Sequence, residues 1–249
     1  MSEDQIPHQI SKCEKHYLQL HMECTTIITT SFQVDADGAQ AKSHNYIPDF
    51  EKWIGVLSGR NEVHLLKAAL REYQFALLAL VQGQYRQAFM SLRLFLELAL
   101  AAIQLSANEL ELRKWLNGCR DIHWTSLIDA ENGVYSKSFV KAFYVELAEE
   151  APHYRVIAER VYRECSEYVH GNAHTHHTLP ETLRFMEDAF YSWHEKAASI
   201  RLVVSFALCV RYLFDLQEST RNELEGVVLD ELQHITAIRA LYGGVTEVN

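Results

Sequence analysis

The chain contains unusually few residues that interrupt helices. Ten glycines and four prolines occur among its 249 residues, which is about half of the roughly 12% expected from average usage. Residues that favour helices, such as leucine, alanine, glutamate and arginine, fill long stretches between them. No segment of useful length shows the alternating pattern of a β-strand. The sequence therefore predicts an all-α fold in one domain of packed helices.

Hydrophobic periodicity and turn residues divide the chain into helices and loops. Asp35-Ala-Asp-Gly38 is typical of a turn, and we predict a loop over residues 34–46. Gly83 separates two long apolar segments, which we predict to form a helical hairpin. The predicted helices cover residues 7–31, 48–57, 62–82, 84–105, 106–117, 136–150, 152–170, 178–216 and 220–242. The predicted organisation is an N-terminal helix and loop extension (1–60), a helical bundle (61–216) and a C-terminal helix (217–249).

Two short polar sequences are predicted to begin helices. Ser106-x-x-Glu109 has the spacing of a capping box, in which the serine side chain accepts from the backbone of the first turn. Asn61 is predicted to cap the first helix of the hairpin in a similar way.

Composition restricts the function and the cellular setting. The net charge of −10 argues against a protein that coats long nucleic-acid duplexes with a broad basic surface. It leaves room for a local anion site, because one arginine in a cleft can outweigh a distant acidic surface. The cysteines are odd in number and lack C-x-x-C spacing, which favours a reducing cytoplasm. The apolar runs are short or interrupted, so we predict a soluble protein without a membrane partner.

The segment from Arg163 to His170 carries the most specific chemistry in the chain. Seven residues make almost two helical turns, so a helix places Arg163 and His170 on one face. Ser166 and Glu167 lie between them, three and four residues after the arginine. A guanidinium beside an imidazole can hold a phosphate and transfer a proton. These residues are our first candidates for a catalytic site.

A second polar pair lies inside the most apolar predicted helix. Within residues 92–103 every side chain is apolar except Arg93 and Glu97. Two ionisable groups in a buried helix are costly unless they are paired. Their i, i+4 spacing allows them to pair with each other, and further partners could come from the Arg163–His170 face.

Several histidines follow the candidate motif and suggest a metal site. His170, His174, His176 and His177 are close in sequence, and His123 could join them. No acidic or cysteine ligand lies at a recognisable spacing, so a solvated histidine-rich loop is the favoured interpretation. No glycine-rich phosphate loop, nucleophile elbow or H-E-x-x-H motif occurs. We predict neither a metal nor a cofactor.

The long hairpin, Arg93-x-x-x-Glu97 and Tyr162-Arg-x-x-Ser166-x-x-x-His170-Gly171 together resemble the HEPN superfamily (higher eukaryotes and prokaryotes nucleotide-binding). The resemblance covers roughly residues 61–216. It implies an antiparallel four-helix-type bundle, here with additional N- and C-terminal helices. It also implies dimers that bring two motifs together in a shared cleft, where arginine and histidine cut RNA without a metal.

The resemblance further implies roles for individual residues and a biological setting. His170 would transfer a proton and Arg163 would bind the scissile phosphate, with Arg93 or Glu97 positioning them. Tyr162, Ser166 and Glu167 would support the site. Members of the superfamily are common in toxin–antitoxin systems and in defence against phage, where an antitoxin or another defence protein is the partner.

Two hypotheses follow from these observations. In the first, the chain is a metal-independent endoribonuclease or toxin-type effector that acts on RNA as a homodimer in the cytoplasm. In the second, it is a non-catalytic helical interaction module, in which Arg163, Glu97 and His170 form a buried polar network.

Overall fold

The computed structural model describes residues 10–170, 173, 175 and 179–244, and this part of the chain is all-α, as predicted. It contains no strand and twelve α-helices within those residues. A 3-10 turn lies at Val145–Leu147 and a π-helical turn at Cys209–Leu213. The helices are α1 (Lys12–Val34), α2 (Ala39–Val56), α3 (Val63–Val81), α4 (Tyr85–Leu105), α5 (Glu109–Leu116), α6 (Trp124–Leu127), α7 (Lys137–Phe143), α8 (Ala151–Ser166), α9 (Glu187–Leu208), α10 (Glu218–Glu223), α11 (Glu225–Leu232) and α12 (Thr236–Leu241).

The predicted hairpin is present as α3 and α4, which pack along each other over their length. Gly83 makes the turn with a φ of 74°, a conformation that a side chain disfavours. The backbone N–H groups of Gly83 and Gln84 donate to Leu80 and Ala79, at 3.0 and 2.8 Å. These bonds satisfy carbonyls at the end of α3 and reverse the chain tightly.

Helix α4 is the central helix of the fold, with α3, α8 and α9 packed around it. Its length and composition would allow it to cross a membrane, with a mean hydropathy of 1.6. However, 61% of its most apolar window is buried inside the fold. Core helices of soluble proteins reach a similar mean hydropathy, because a helix surrounded by others is apolar on most sides.

One continuous hydrophobic core crosses the predicted boundaries at residues 60 and 216. Tyr46 and Phe50 of α2 contact Phe95 of α4, with ring centroids 6.2 and 5.4 Å apart. Val227 and Leu232 of α11 are buried in the same core. All three predicted segments therefore contribute side chains to a single core, which continues across residues 60 and 216.

The predicted loop over residues 34–46 is wrong in its second half, because α2 begins at Ala39. The Asp35 carboxylate accepts hydrogen bonds from the backbone N–H groups of Ala39 and Gln40, at 2.8 and 2.9 Å. Gly38 adopts a φ of 66° directly before the helix. Asp35 thus satisfies free donors at the start of α2, and the loop shortens to a tight turn.

Both predicted caps differ in the structure. Asn108 caps α5, since its side chain accepts from the Glu111 backbone N–H at 3.2 Å. The Ser106 hydroxyl instead donates to the Ile103 carbonyl, at 2.7 Å. The Asn61 side chain caps no backbone group of α3; its amide donates to the Glu109 carboxylate at 3.1 Å.

Four predicted helices are shorter than expected or divided. The helix predicted over 152–170 ends at Ser166, so His170 lies beyond the helix that carries Arg163. The helix predicted over 178–216 begins only at α9, because the Met186 backbone N–H donates to the Tyr85 hydroxyl at 2.7 Å. The helix predicted over 220–242 divides into α10, α11 and α12, with the buried Ile235 in an extended conformation before α12. The helix predicted over 136–150 ends at Phe143, where Tyr144 turns extended and buried.

Candidate functional site

Arg163 and His170 lie on either side of the C-terminal end of α8, which is at Ser166. Arg163 is in the last helical turn, and residues 167–170 continue the chain as hydrogen-bonded turns. The His170 backbone N–H donates to the Ser166 carbonyl at 3.2 Å. Both side chains are exposed, and no hydrogen bond or ion pair joins either of them to another described residue. They are therefore accessible to a ligand from solvent.

The residue before Arg163 is fixed to α4 by a half-buried polar triad of Arg93, Glu97 and Tyr162. Arg93 Nη2 donates to Tyr162 Oη at 2.5 Å and to Glu97 Oε1 at 3.2 Å. Tyr162 Oη donates to the same Glu97 oxygen at 2.9 Å. The predicted pairing of Arg93 with Glu97 is confirmed, and its outside partner comes from α8.

Stacking and electrostatics reinforce this triad. The Tyr162 ring stacks on Trp124 with centroids 3.7 Å apart and an interplanar angle of 1°. The Arg93 guanidinium lies 4.5 Å from the centroid of the Tyr162 ring, in the range of a cation–π contact. Burial, and then the Glu97 carboxylate, raise the pKa of Tyr162. The hydroxyl therefore stays protonated and can donate to Glu97.

A second contact fixes the chain just before His170. The Tyr168 ring stacks on Phe89 of α4, with centroids 3.8 Å apart and an interplanar angle of 13°. Lys196 of α9 lies 5.9 Å from the centroid of the Phe89 ring and 3.5 Å from the Glu164 carboxylate. Tyr162, directly before Arg163, and Tyr168, two residues before His170, thus both contact α4.

The other residues of the segment have structural contacts. The Ser166 hydroxyl donates to the Tyr162 carbonyl at 2.7 Å. Its side chain is therefore hydrogen-bonded to the backbone of its own helix. Cys165 is buried, and burial raises the pKa of its thiol to about 12, so it is not a nucleophile. Glu167 is exposed.

A groove of about 520 Å³ lies beside the candidate motif, between α8 and the start of α9. Three carboxylates line it, from Glu164, Glu167 and Asp188, together with the Lys196 ammonium. Neither Arg163 nor His170 is among its lining residues. The structure therefore keeps the two motif side chains out of this acidic groove.

The structure brings some predicted residues together and separates others. The predicted buried network of Arg163, Glu97 and His170 is wrong for two of its three residues, because Arg163 and His170 are exposed. Glu97 instead forms a half-buried group with Arg93 and Tyr162, since Tyr162 rather than Arg163 faces α4.

The predicted histidine-rich loop lies mostly outside the described residues, as do His174, His176 and His177. His123 is exposed at the start of α6. Within the part of the chain that the structure describes, no three histidine, cysteine or acidic side chains are close enough to hold a metal ion.

Sequence reasoning missed the aromatic and basic residues that support this end of α8. Tyr168, Phe89, Trp124 and Lys196 lie on four different segments. Phe89 is apolar at helical spacing, which indicates a core position but not its partner. No spacing rule connects residues so far apart in the chain, so only the fold reveals these contacts.

Comparison with models of known families, with curated proteins and with solved structures found no match to this chain.

Proposed function

We propose that the chain is a HEPN-like metal-independent endoribonuclease, in which His170 transfers a proton and Arg163 binds the scissile phosphate. The observation that carries this proposal is an exposed arginine and an exposed histidine next to two tyrosines that contact α4. Tyr162 directly precedes Arg163 and Tyr168 lies two residues before His170, so the backbone beside both groups packs against the bundle while their side chains are open to solvent. Packing of the backbone that carries catalytic groups lowers the cost of orienting them on a substrate.

RNA supplies its own nucleophile for such a reaction. The imidazole of His170 removes the proton from a ribose 2′-hydroxyl, whose oxygen then attacks the adjacent phosphorus. The new O–P bond forms as the bond from phosphorus to the 5′-oxygen breaks, the leaving oxygen takes up a proton from water, and the His170 imidazolium later returns its proton to solvent. The products are a 2′,3′-cyclic phosphate and a 5′-hydroxyl. The Arg163 guanidinium neutralises the charge that builds up on the phosphate oxygens.

Arg93, Glu97 and Tyr162 act as positioning residues in this proposal, because their hydrogen bonds join α4 to α8 and do not involve the substrate. The wider setting follows from the resemblance. We propose a toxin-type effector in a toxin–antitoxin or phage-defence system, active as a cytoplasmic homodimer with an antitoxin or defence protein as partner. A net charge of −10 fits an enzyme that binds RNA at one local site rather than over a broad surface.

The test is RNA cleavage by the purified chain in the presence of a metal chelator. Arg163→Ala and His170→Ala are each expected to lower the cleavage rate by about 10²-fold or more. Arg160→Ala and His153→Ala are matched controls, because both residues are exposed on α8 and lie outside the motif. We expect the controls to cleave at the wild-type rate.

A second readout tests the chemistry. A substrate with a 2′-deoxy sugar at the cleaved position should resist cleavage, since it lacks the attacking oxygen. Wild-type protein that cleaves no RNA, or variants at Arg163 and His170 that cleave as well as the controls, would refute the nuclease.

A non-catalytic helical interaction module is the second candidate. The acidic groove beside the motif favours it, because three carboxylates close to α8 repel an RNA backbone. This candidate predicts no chelator-resistant cleavage by the wild-type chain.

A further inference from the structure

The outer side of the α3–α4 hairpin carries a patch of exposed apolar side chains. Each helix contributes two large residues that are at least 40% exposed: Phe75, Leu78, Met90 and Leu94. The members of each pair are three or four residues apart, so each pair lies on one side of its own helix. Large apolar groups grouped in this way on a surface are typical of an interaction site.

The four side chains form a single patch across the two helices. Helix α2 packs against α3, and α8 and α9 pack against α4, so these contacts occupy the remaining sides of the hairpin. Both helices start from the same turn at Gly83. At 1.5 Å per residue, the four residues lie between about 7 and 17 Å from that turn. The two pairs are therefore at similar levels on neighbouring helices.

The exposed charges beside this patch are basic. Helices α3 and α4 contain two carboxylates in all, Glu72 and Glu97. Both are half-buried, and each is paired with an arginine of its own helix, at 3.6 and 3.2 Å. Lys67 and Arg71 are exposed on the same side of α3 as Leu78. We name this surface the hairpin face, and it consists of Lys67, Arg71, Phe75, Leu78, Met90 and Leu94.

The polar and aromatic groups of the hairpin face are available to a partner. Lys67 and Phe75 make no hydrogen bond, ion pair or ring contact with another described residue. The ion pair of Arg71 is with its neighbour Glu72, and the Arg71 side chain is 63% exposed. A chain with a net charge of −10 thus presents a face whose exposed charges are both positive.

The chemistry of the hairpin face fits a helix of another protein. Two packed helices leave a shallow groove that takes the ridge of a third helix, and apolar side chains on both walls hold it. Nucleic acids and anionic membranes are bound instead by larger clusters of basic groups. Here two exposed cations border an apolar centre, and such cations select acidic residues on the partner.

We propose that the hairpin face binds an acidic amphipathic helix of another protein. The apolar side of that helix packs on Phe75, Leu78 and Leu94, and its carboxylates pair with Lys67 and Arg71. The hairpin face is separate from the Arg163–His170 motif. The proposal therefore stands whether or not the chain cleaves RNA.

The first test uses two labelled synthetic peptides of about 15 residues, held helical by a side-chain staple, which is about four turns. Both carry leucine at spacings of three and four; the flanking positions are glutamate in one peptide and lysine in the other. Fluorescence anisotropy with the full-length chain should show that the glutamate peptide binds about tenfold or more tightly than the lysine peptide.

Substitutions in the apolar patch test where the glutamate peptide binds. Leu78→Asp and Leu94→Asp should each raise its Kd by about tenfold or more, since each places an unpaired charge under the peptide. Leu116→Asp is the matched control, because Leu116 is an exposed leucine of α5, outside the hairpin. We expect this control to keep the wild-type Kd, and circular dichroism checks that every variant is folded.

Reversal of one charge tests the sign of the recognition. Lys67→Glu should remove the preference for the glutamate peptide over the lysine peptide. Lys141→Glu is the control, because Lys141 is exposed on α7 and its replacement changes the net charge equally. We expect the control to keep the wild-type preference.

Four results would overturn the proposal. The first two are a glutamate peptide that does not bind, and equal effects of the hairpin and control substitutions. The third is self-association in analytical ultracentrifugation that Leu94→Asp abolishes, which would assign the face to a second copy. The fourth is binding to phosphatidylcholine–phosphatidylserine vesicles that Leu94→Asp abolishes, which would assign it to a membrane. No test uses RNA, so failure here is distinct from failure of the nuclease proposal.

Discussion

At the scale of single residues, the Tyr162 hydroxyl is the most connected group near the candidate site. It accepts from Arg93 and donates to Glu97 in a half-buried setting. We expect Tyr162→Phe to lower the free energy of unfolding by about 1–3 kcal/mol, since two charged groups lose a hydrogen-bond partner there. Urea denaturation followed by circular dichroism measures this change.

Tyr168→Phe is the matched control for that substitution. It keeps the stacking on Phe89, and the Tyr168 hydroxyl makes no hydrogen bond to another described residue. We expect a change within about 0.5 kcal/mol. If Tyr162→Phe is equally mild, the polar triad does not hold α8 in place.

The triad also marks the limit of sequence reasoning at this scale. The spacing of Arg93 and Glu97 predicted their pairing, because residues four apart on a helix are neighbours. Tyr162 lies 65 residues beyond Glu97, and no local rule selects it over Arg163 as the partner. The rotation of α8 about its axis decided which residue faces α4, and that rotation depends on packing.

At the scale of elements, the turn between α3 and α4 depends on Gly83. Its φ is 74°, and a Cβ there would lie 3.0 Å from Ile27 Cδ1 and 3.2 Å from the Arg184 carbonyl oxygen. The backbone oxygen cannot move as easily as the end of a side chain. We expect Gly83→Ala to cost about 2 kcal/mol or more, measured by urea denaturation.

Substitutions at two other glycines distinguish the steric contribution to that cost from the conformational contribution. Gly38 has a φ of 66° but open space around it, so Gly38→Ala should cost only the conformational term of about 1 kcal/mol. Gly55 lies inside α2 with open space and an ordinary φ, and Gly55→Ala should stabilise the fold by about 0.5 kcal/mol. If Gly83→Ala and Gly38→Ala lower the free energy of unfolding equally, the contacts of the new Cβ at position 83 with Ile27 and Arg184 are not destabilising.

The start of α2 shows why some elements could not be predicted. Gln40 and Ser43 are polar, and their sequence is typical of a solvated loop, yet both are buried. Ser43 can be buried because His194 and Arg201 of α9 form hydrogen bonds with its hydroxyl. The hairpin was predictable, since its apolar periodicity and Gly83 are local signals. A polar residue with distant partners carries no such signal.

At the scale of the whole molecule, a buried polar network joins α2, α9 and α11. Ser43 Oγ lies 2.8 Å from His194 Nδ1 and accepts from Arg201 Nη1 at 3.2 Å. Arg201 Nε donates to Glu231 Oε1 at 3.4 Å. The network thus connects the predicted N-terminal extension and the predicted C-terminal helix to the bundle.

The whole fold should lose stability in mild acid through His194. Burial lowers the pKa of His194 to about 4, from an ordinary value of 6.5; the Asp35 carboxylate opposes this shift and the Arg201 charge adds to it. The folded protein therefore binds fewer protons than the unfolded chain between these pH values. This contribution to stability is present above pH 6.5 and is lost as the pH falls towards 4, by about 3 kcal/mol in total.

The measurement is urea denaturation of the wild-type chain and His194→Gln across that pH range. Asn and Gln side chains do not titrate, so the free energy of unfolding of His194→Gln should fall less steeply with decreasing pH. His44→Gln is the control, because His44 is exposed on α2 and its replacement should keep the wild-type slope. Using the slope rather than the absolute stability separates proton binding from the lost contact with Ser43. Parallel curves for wild type and His194→Gln would show that His194 is not held neutral by the fold.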